Sequence, residues 1–212
     1  MKKTLLLAGV ACLFASQANA EGYFFKPYLG LDYVHSWLDS SIVGNDAYGN
    51  DYKLKEDNMN AGEVSLGVKF HPNFAAEAFY TQSDKLDSNI NVKVIDEDNE
   101  FQDFNRKVSL KYKAMGLDFI GSIPVTNGLE FLGSLGTGYY KVSAKNEITS
   151  FAGLPIYADE DSETANKWGV RVGIGAQYYL TDYLALRGMV RISRIDSFGS
   201  LTDLTAGVRV YF

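Results

Sequence analysis

The sequence predicts an all-β chain that closes into an eight-stranded antiparallel up-and-down transmembrane β-barrel, and three observations carry that reading. Long segments alternate between apolar and polar or glycine residues, the polar alternates hold too many charges to pack as a core, and the connections are alternately short and long. Composition agrees. The 212 residues are 46% hydrophobic and 22% charged, which argues against disorder, and 14 Tyr, 13 Phe and 20 Gly against 4 Pro favour strands over long helices. A net charge of −6 argues against nucleic acid as a partner, because phosphate binding needs a basic face. A single cysteine excludes a disulfide framework.

The chain opens with an export signal. Met1, Lys2 and Lys3 give a positive start, Leu5 to Ala15 is almost wholly apolar, and Ala18-Asn19-Ala20 sets small residues at a cleavage position. Residues 1–20 therefore read as a secretory signal peptide and 21–212 as the barrel domain, with the bacterial outer membrane as destination. The apolar run falls short of the roughly 20 residues a spanning helix needs, and no later run reaches that length. Cleavage after Ala20 removes Lys2 and Lys3, which takes the charge from −6 to −8. Cys12 is a poor lipid-attachment site, since Gly9-Val10-Ala11 before it lacks the usual leucine.

Five strands are read directly from a period of two. Leu29, Leu31 and Tyr33 alternate with Gly30 and Asp32; Val64, Leu66, Val68 and Phe70 with Glu63, Ser65, Gly67 and Lys69. Trp168, Val170, Val172, Ile174, Ala176, Tyr178 and Leu180 alternate with Gly169, Arg171, Gly173, Gly175, Gln177 and Tyr179. Leu184, Leu186, Val190 and Ile192 oppose Ala185, Arg187, Met189, Arg191 and Ser193, and Leu204 to Phe212 repeats the pattern against Asp203, Thr205, Gly207, Arg209 and Tyr211. Two more are less regular: Phe74 to Ser83, with Ala76, Ala78 and Tyr80 on one face, and Leu129 to Val142, with Phe131, Leu135 and Tyr139. The eighth, from about Arg106 to Ile123, changes parity between Tyr112 and Met115, which predicts a bulge near Ala114 or Met115.

Connections orient the barrel. Short ones fall at His71-Pro72-Asn73, Pro124 to Gly128 and Thr181-Asp182-Tyr183, and are expected to face the periplasm. Long polar ones at Asp39–Asn58, Asp84–Asn105 and Ala144–Asn166, with a short fourth around Ser197–Ser200, are expected to face outward. The acidic run Asp96-Glu97-Asp98-Asn99-Glu100 reads as a solvated, repulsive surface or a weak calcium site, although it lacks the spacing of a calcium loop.

The polar faces carry Asp32, Glu63, Lys69, Glu77, Glu130, Arg171, Arg187, Arg191 and Arg209, which must share one lumen. In eight strands that lumen is just wide enough for side chains to fill it. Charges taken out of water there must pair or cost several kcal/mol each, so four carboxylates against five cations predict a closed ion-pair network, with a narrow gated pore as the alternative. Gly30, Gly67, Gly136, Gly138, Gly173, Gly175 and Gly207 on the same faces would make room for long Arg and Tyr side chains. Gly173-Ile174-Gly175 is no dinucleotide loop, because Tyr178 stands where the third glycine belongs and no helix follows.

The search for catalytic groups yields little. His35 and His71 fall at opposite strand ends and cannot share a metal or a proton. No nucleophile elbow, zinc motif or phosphate loop is present, so no enzyme activity, metal or cofactor is expected. One enzymatic alternative survives, a lipid-modifying site at the outer rim built from His35 with Ser36, Ser40 or Ser41.

The signal ending Ala-Asn-Ala, Pro27-Tyr28-Leu29-Gly30-Leu31-Asp32-Tyr33, Leu135-Gly136-Thr137-Gly138-Tyr139-Tyr140, Trp168 to Gly175 and the ending Gly207-Val208-Arg209-Val210-Tyr211-Phe212 together resemble the OmpA-like and opacity-protein family of outer-membrane β-barrels. The resemblance covers nearly the whole chain after the signal. It implies a Gram-negative outer membrane, an ending at Tyr211 and Phe212 read by the barrel-assembly machinery, and roles as surface antigen, adhesin, membrane-integrity protein or porin-like protein. Expected partners are outer-membrane lipid and lipopolysaccharide, and a host or surface ligand on the external loops. A monomer is expected, since a closed barrel satisfies its own backbone. No peptidoglycan-binding domain is expected after Phe212.

Overall fold

Alternating sequences hydrogen-bond laterally, and here they do so until the sheet meets itself. The computed structural model describes residues 25–39, 58–95, 101–150, 161–196 and 199–212. Among these residues nine strands form one antiparallel sheet: β1 (Lys26–Asp39), β2 (Asn58–His71), β3 (Phe74–Ser83), β4 (Leu86–Ile95), β5 (Phe101–Thr126), β6 (Leu129–Ser150), β7 (Asp161–Tyr179), β8 (Leu184–Ile195) and β9 (Gly199–Tyr211). β1 pairs with β9, and β3 with β5, which closes the barrel. There are eight staves, because β3 and β4 are one stave broken at Asp84-Lys85, both halves pairing with β5.

Stepping between paired residues from Tyr28 leads through Gly67, Glu77, Asp118, Gly136, Arg171, Ser193 and Leu201, and returns to β1 at Leu38, ten residues from the start. That stagger over eight staves tilts the strands by roughly 40° and leaves a lumen of side-chain width.

Three tight turns join staves at one end. Pro72-Asn73 links β2 to β3, where Asn73 N donates to His71 Nδ1 at 3.1 Å and its amide nitrogen to Ser122 O on β5 at 2.9 Å. Asn127-Gly128 links β5 to β6, with Gly128 at φ 92°, the left-handed backbone that an Asn-Gly hairpin requires. Thr181 Oγ1 accepts from the backbone N of Leu184 at 3.0 Å in the third. The register irregularities in the pairing, at Lys69/His71 and Pro124/Thr126, sit at this turn end.

The bulge expected near Ala114 does not exist. β5 keeps unbroken register with β3 from Gln82↔Lys113 to Phe74↔Gly121, and with β6 through the same stretch. Leu110, Tyr112, Ala114, Asp118 and Ile120 all face inward, and Lys111, Lys113, Met115, Leu117 and Phe119 outward. What changes is the surroundings. Toward the turn end the outside is apolar, with Leu31, Leu117, Leu135, Val172 and Ile174 exposed; toward the loop end it becomes polar and the inside apolar. The strands also outrun the expected loops, since β4 and the ends of β5, β6 and β7 occupy most of 84–105 and 144–166. The sequence of β4 carries the same period of two, Ile90, Val92 and Val94 alternating with Asn89, Asn91 and Lys93.

Candidate functional site

The polar alternates converge in the lumen, where they form layers. Nearest the turn end, Lys69 Nζ donates to Glu130 Oε1 at 2.7 Å and to Tyr179 OH at 3.3 Å, and Gln177 Nε2 to Tyr211 OH at 2.7 Å. Beside them lies a cavity of about 20 Å³, room for about one water.

Deeper in, Arg187 spans both oxygens of Glu77 at 2.7 and 2.8 Å, and Arg209 both oxygens of Asp32 at 2.7 and 3.1 Å. Longer contacts cross-link the pairs, Arg187 to Asp32 at 3.8 Å and Arg209 to Glu77 at 3.5 Å. The next layer centres on Glu63, which accepts from Arg191 at 2.6 Å, Arg171 at 3.1 Å and Thr81 at 2.8 Å. Arg171 also pairs with Asp118 and lies 3.4 Å over the Phe79 ring. Two-pronged guanidinium–carboxylate contacts are the geometry in which a buried ion recovers most of its lost hydration.

Above the ions, Ser36 Oγ donates to Asp203 Oδ1 at 2.6 Å and is 2.9 Å from Tyr112 OH, and Tyr140 OH donates to Ser193 at 3.0 Å. The loop end is filled with apolar side chains that include Val34, Leu38, Met59, Leu110, Val142, Ile195 and Leu201.

All nine charges singled out from the sequence face this lumen. Asp118 and Asp203 join them. With Asp118 the ion pairs hold five carboxylates against five cations; Asp203 is held by a hydroxyl. The outward set Met115, Leu117 and Phe119 leaves Asp118 on the polar face, so its place in the lumen was legible from that alternation; what the supposed bulge misplaced is Leu110 and Tyr112.

The inner glycines are spaces that arginines and carboxylates occupy. A Cβ on Gly30 would lie 2.6 Å from Arg209 Cζ, one on Gly173 2.8 Å from Arg191 Cγ, and one on Gly207 against the Asp32 carboxylate.

His35 and Ser36 face opposite ways, as neighbours in a strand must. Ser36 is fully buried inside, whereas outside His35 Nδ1 and Tyr33 OH each lie 2.7 Å from Asn60 Oδ1. Ser40, Ser41, the signal peptide and the acidic run Asp96 to Glu100 lie outside the described residues. Phe212 points outward and Tyr211 inward. Among the described residues no group of three or more His, Cys, Asp or Glu could hold a metal.

A closed barrel with an apolar outer band and a charged, filled interior defines the class: a β-barrel protein of the outer membrane. The family model for the outer membrane protein beta-barrel domain matches residues 5–212, and the chain belongs to that family. Solved structures share the fold. The attachment invasion locus protein Ail of Yersinia pestis is 15% identical, with 88% of this chain and 98% of that one covered at a TM-score of 0.54. Neisserial surface protein A is 17% identical, covering 88% and 97% at 0.53, and OprG of Pseudomonas aeruginosa 14% identical, covering 90% and 97% at 0.54. No curated protein sequence matches the chain.

Proposed function

We propose that the protein is a non-enzymatic surface protein of the bacterial outer membrane, its barrel a sealed anchor and its external loops the binding part. The sealed lumen carries this reading. Glu63, Glu77, Arg191 and Arg209 are at most 1% exposed, and a passage wide enough for water past those charges would leave their surfaces accessible. The apolar plug at the loop end forms a second barrier in series.

In this reading the turn end faces the periplasm, the signal peptide is removed, the Tyr211-Phe212 ending serves barrel assembly, and the chain acts as a monomer among outer-membrane lipids. Ail has been crystallised with the heparin analogue sucrose octasulfate. The acidic run Asp96 to Glu100 would repel such a polyanion, so a neutral or cationic surface ligand fits this chain better. A narrow gated channel is the second reading, favoured by the cavity at the turn end.

Single-channel recording of the refolded protein in a planar bilayer, beside Arg171→Ala and Glu77→Ala, tests it, with a heat-modifiable gel shift reporting folding. A silent wild type supports the sealed anchor. Reproducible wild-type openings that both substitutions alter would replace it with the gated channel.

A further inference from the structure

The outer surface of the barrel carries a row that the sealed lumen does not explain. Lys113 on β5 lies directly opposite Lys141 on β6. Both are exposed on the outward face, and neither makes an ion pair among the described residues. Side chains directly opposite on an antiparallel pair stand about 5 Å apart at Cβ, where like charges destabilise the sheet. Gln82 flanks Lys113 on β3, and Asn166 flanks Lys141 on β7. Tyr80 OH donates to Gln82 Oε1 at 3.2 Å, which leaves the Gln82 amide nitrogen as a donor. Lys111 follows one row further out, on the same face.

The depth of this row is set by the row beneath it, Tyr80, Met115, Tyr139 and Trp168, paired across the same four staves. Tyr139 and Trp168 meet edge to face, ring centroids 5.5 Å apart. Tyr and Trp in a girdle around a barrel mark the headgroup level of the membrane. Two residues further along tilted strands is a rise of about 5 Å, which puts the lysine pair at the height of lipid phosphates on the loop side.

We propose that Lys113, Lys141 and the Gln82 amide form a binding site for the phosphomonoester of a phosphorylated glycolipid in the outer leaflet. The choice of lipid follows from charge. Two adjacent ammonium groups are balanced by a phosphomonoester, which carries close to two negative charges at neutral pH, and only half balanced by the phosphodiester of an ordinary phospholipid. The glycolipid's acyl chains descend along the apolar face under Tyr139 and Trp168.

Native mass spectrometry of the full-length refolded barrel tests this, with bisphosphorylated lipid A, the same lipid A stripped of phosphate, and phosphatidylglycerol as probes. The wild type should retain one lipid A at a concentration at least about tenfold below that needed for either of the other two, since one hydrogen bond between charged groups is worth about a decade or more in affinity. Lys113→Gln with Lys141→Gln removes both charges, keeps polar side chains one atom shorter and should remove the preference, whereas Lys26→Gln, at the turn end of the barrel, should leave it intact. Equal retention of the three lipids by the wild type overturns the proposal without any variant. So does an unchanged preference in the double variant.

Discussion

Around the ionic half of the lumen, from Lys69 to Arg171, the outer surface is Leu, Val, Ile and Phe; around the apolar half, from Ala114 to Leu38, it carries Lys111, Lys113, Lys141 and Asn60. Each strand therefore keeps its alternation and exchanges the meaning of its two faces partway along. Alternation records contrast between faces, and the outer medium decides which face is apolar. Where lipid lies outside, the polar residues turn inward and must pair. Where water lies outside, the ordinary arrangement of a soluble sheet returns and the interior packs by area. The difference teaches that one lumen is closed by two kinds of energy with different failure modes.

The sharpest way to break the ionic half is Glu63→Ala, which leaves Arg171 and Arg191 short of a shared partner. Unpaired buried charge costs about 3–5 kcal/mol, and denaturant unfolding of the barrel in lipid vesicles, followed by the heat-modifiable gel shift, should show a loss of that size. A loss below about 1 kcal/mol would mean that water reaches the layer. In the apolar half, Leu201→Ala removes a side chain only 2% exposed and should cost about 3 kcal/mol by lost burial and cavity formation. Conductance should stay silent there, because the ionic layers still close the lumen. Gly136→Ala drives a methyl group against the Asp118 carboxylate and should cost about 1–3 kcal/mol through overpacking.

Lys69 and Glu130 test whether pairing is replaceable. They are the most exposed of the pairs, at 9% and 14% for the side chains. Lys69→Met alone should be destabilising, while Lys69→Met with Glu130→Leu should return to within about 1 kcal/mol of the wild type by the same unfolding measurement, as an apolar pair substitutes for an ionic one. The smallest effect belongs to the outer surface. Lys113→Gln should leave unfolding unchanged within about 0.5 kcal/mol.

Much of this was legible in the sequence. A period of two assigns faces whatever the surroundings, so the outward Trp168 to Leu180 set and the inward Arg187, Arg191 and Arg209 needed no structure. β5 was misread where it crosses the membrane boundary, because Leu110 and Tyr112 inside and Met115 and Leu117 outside are apolar for different reasons, and a bulge is the simplest local explanation of that switch. Asp118 was still legible, since it alternates with the outward Leu117 and Phe119. Asp203 stood on the polar face of the last strand, yet its holder, Ser36, lies 167 residues away. No local pattern encodes that partnership. The apolar plug was invisible for the same reason, being assembled from single residues on many staves.

The seam between β1 and β9 has a consequence in time. It joins the first and last staves, with Tyr28 opposite Tyr211 and Asp39 opposite Ser200. Arg209 grips Asp32 across it, and the Phe212 backbone N donates to Pro27 O at 3.0 Å. Until β9 arrives, two edges of unpaired backbone remain, and hydrocarbon admits neither. A barrel lacking its last stave thus has no stable home in lipid, and contacts of such long sequence separation form slowly. Closure of this seam, more than any local pairing step, therefore sets when the chain becomes a membrane protein at all.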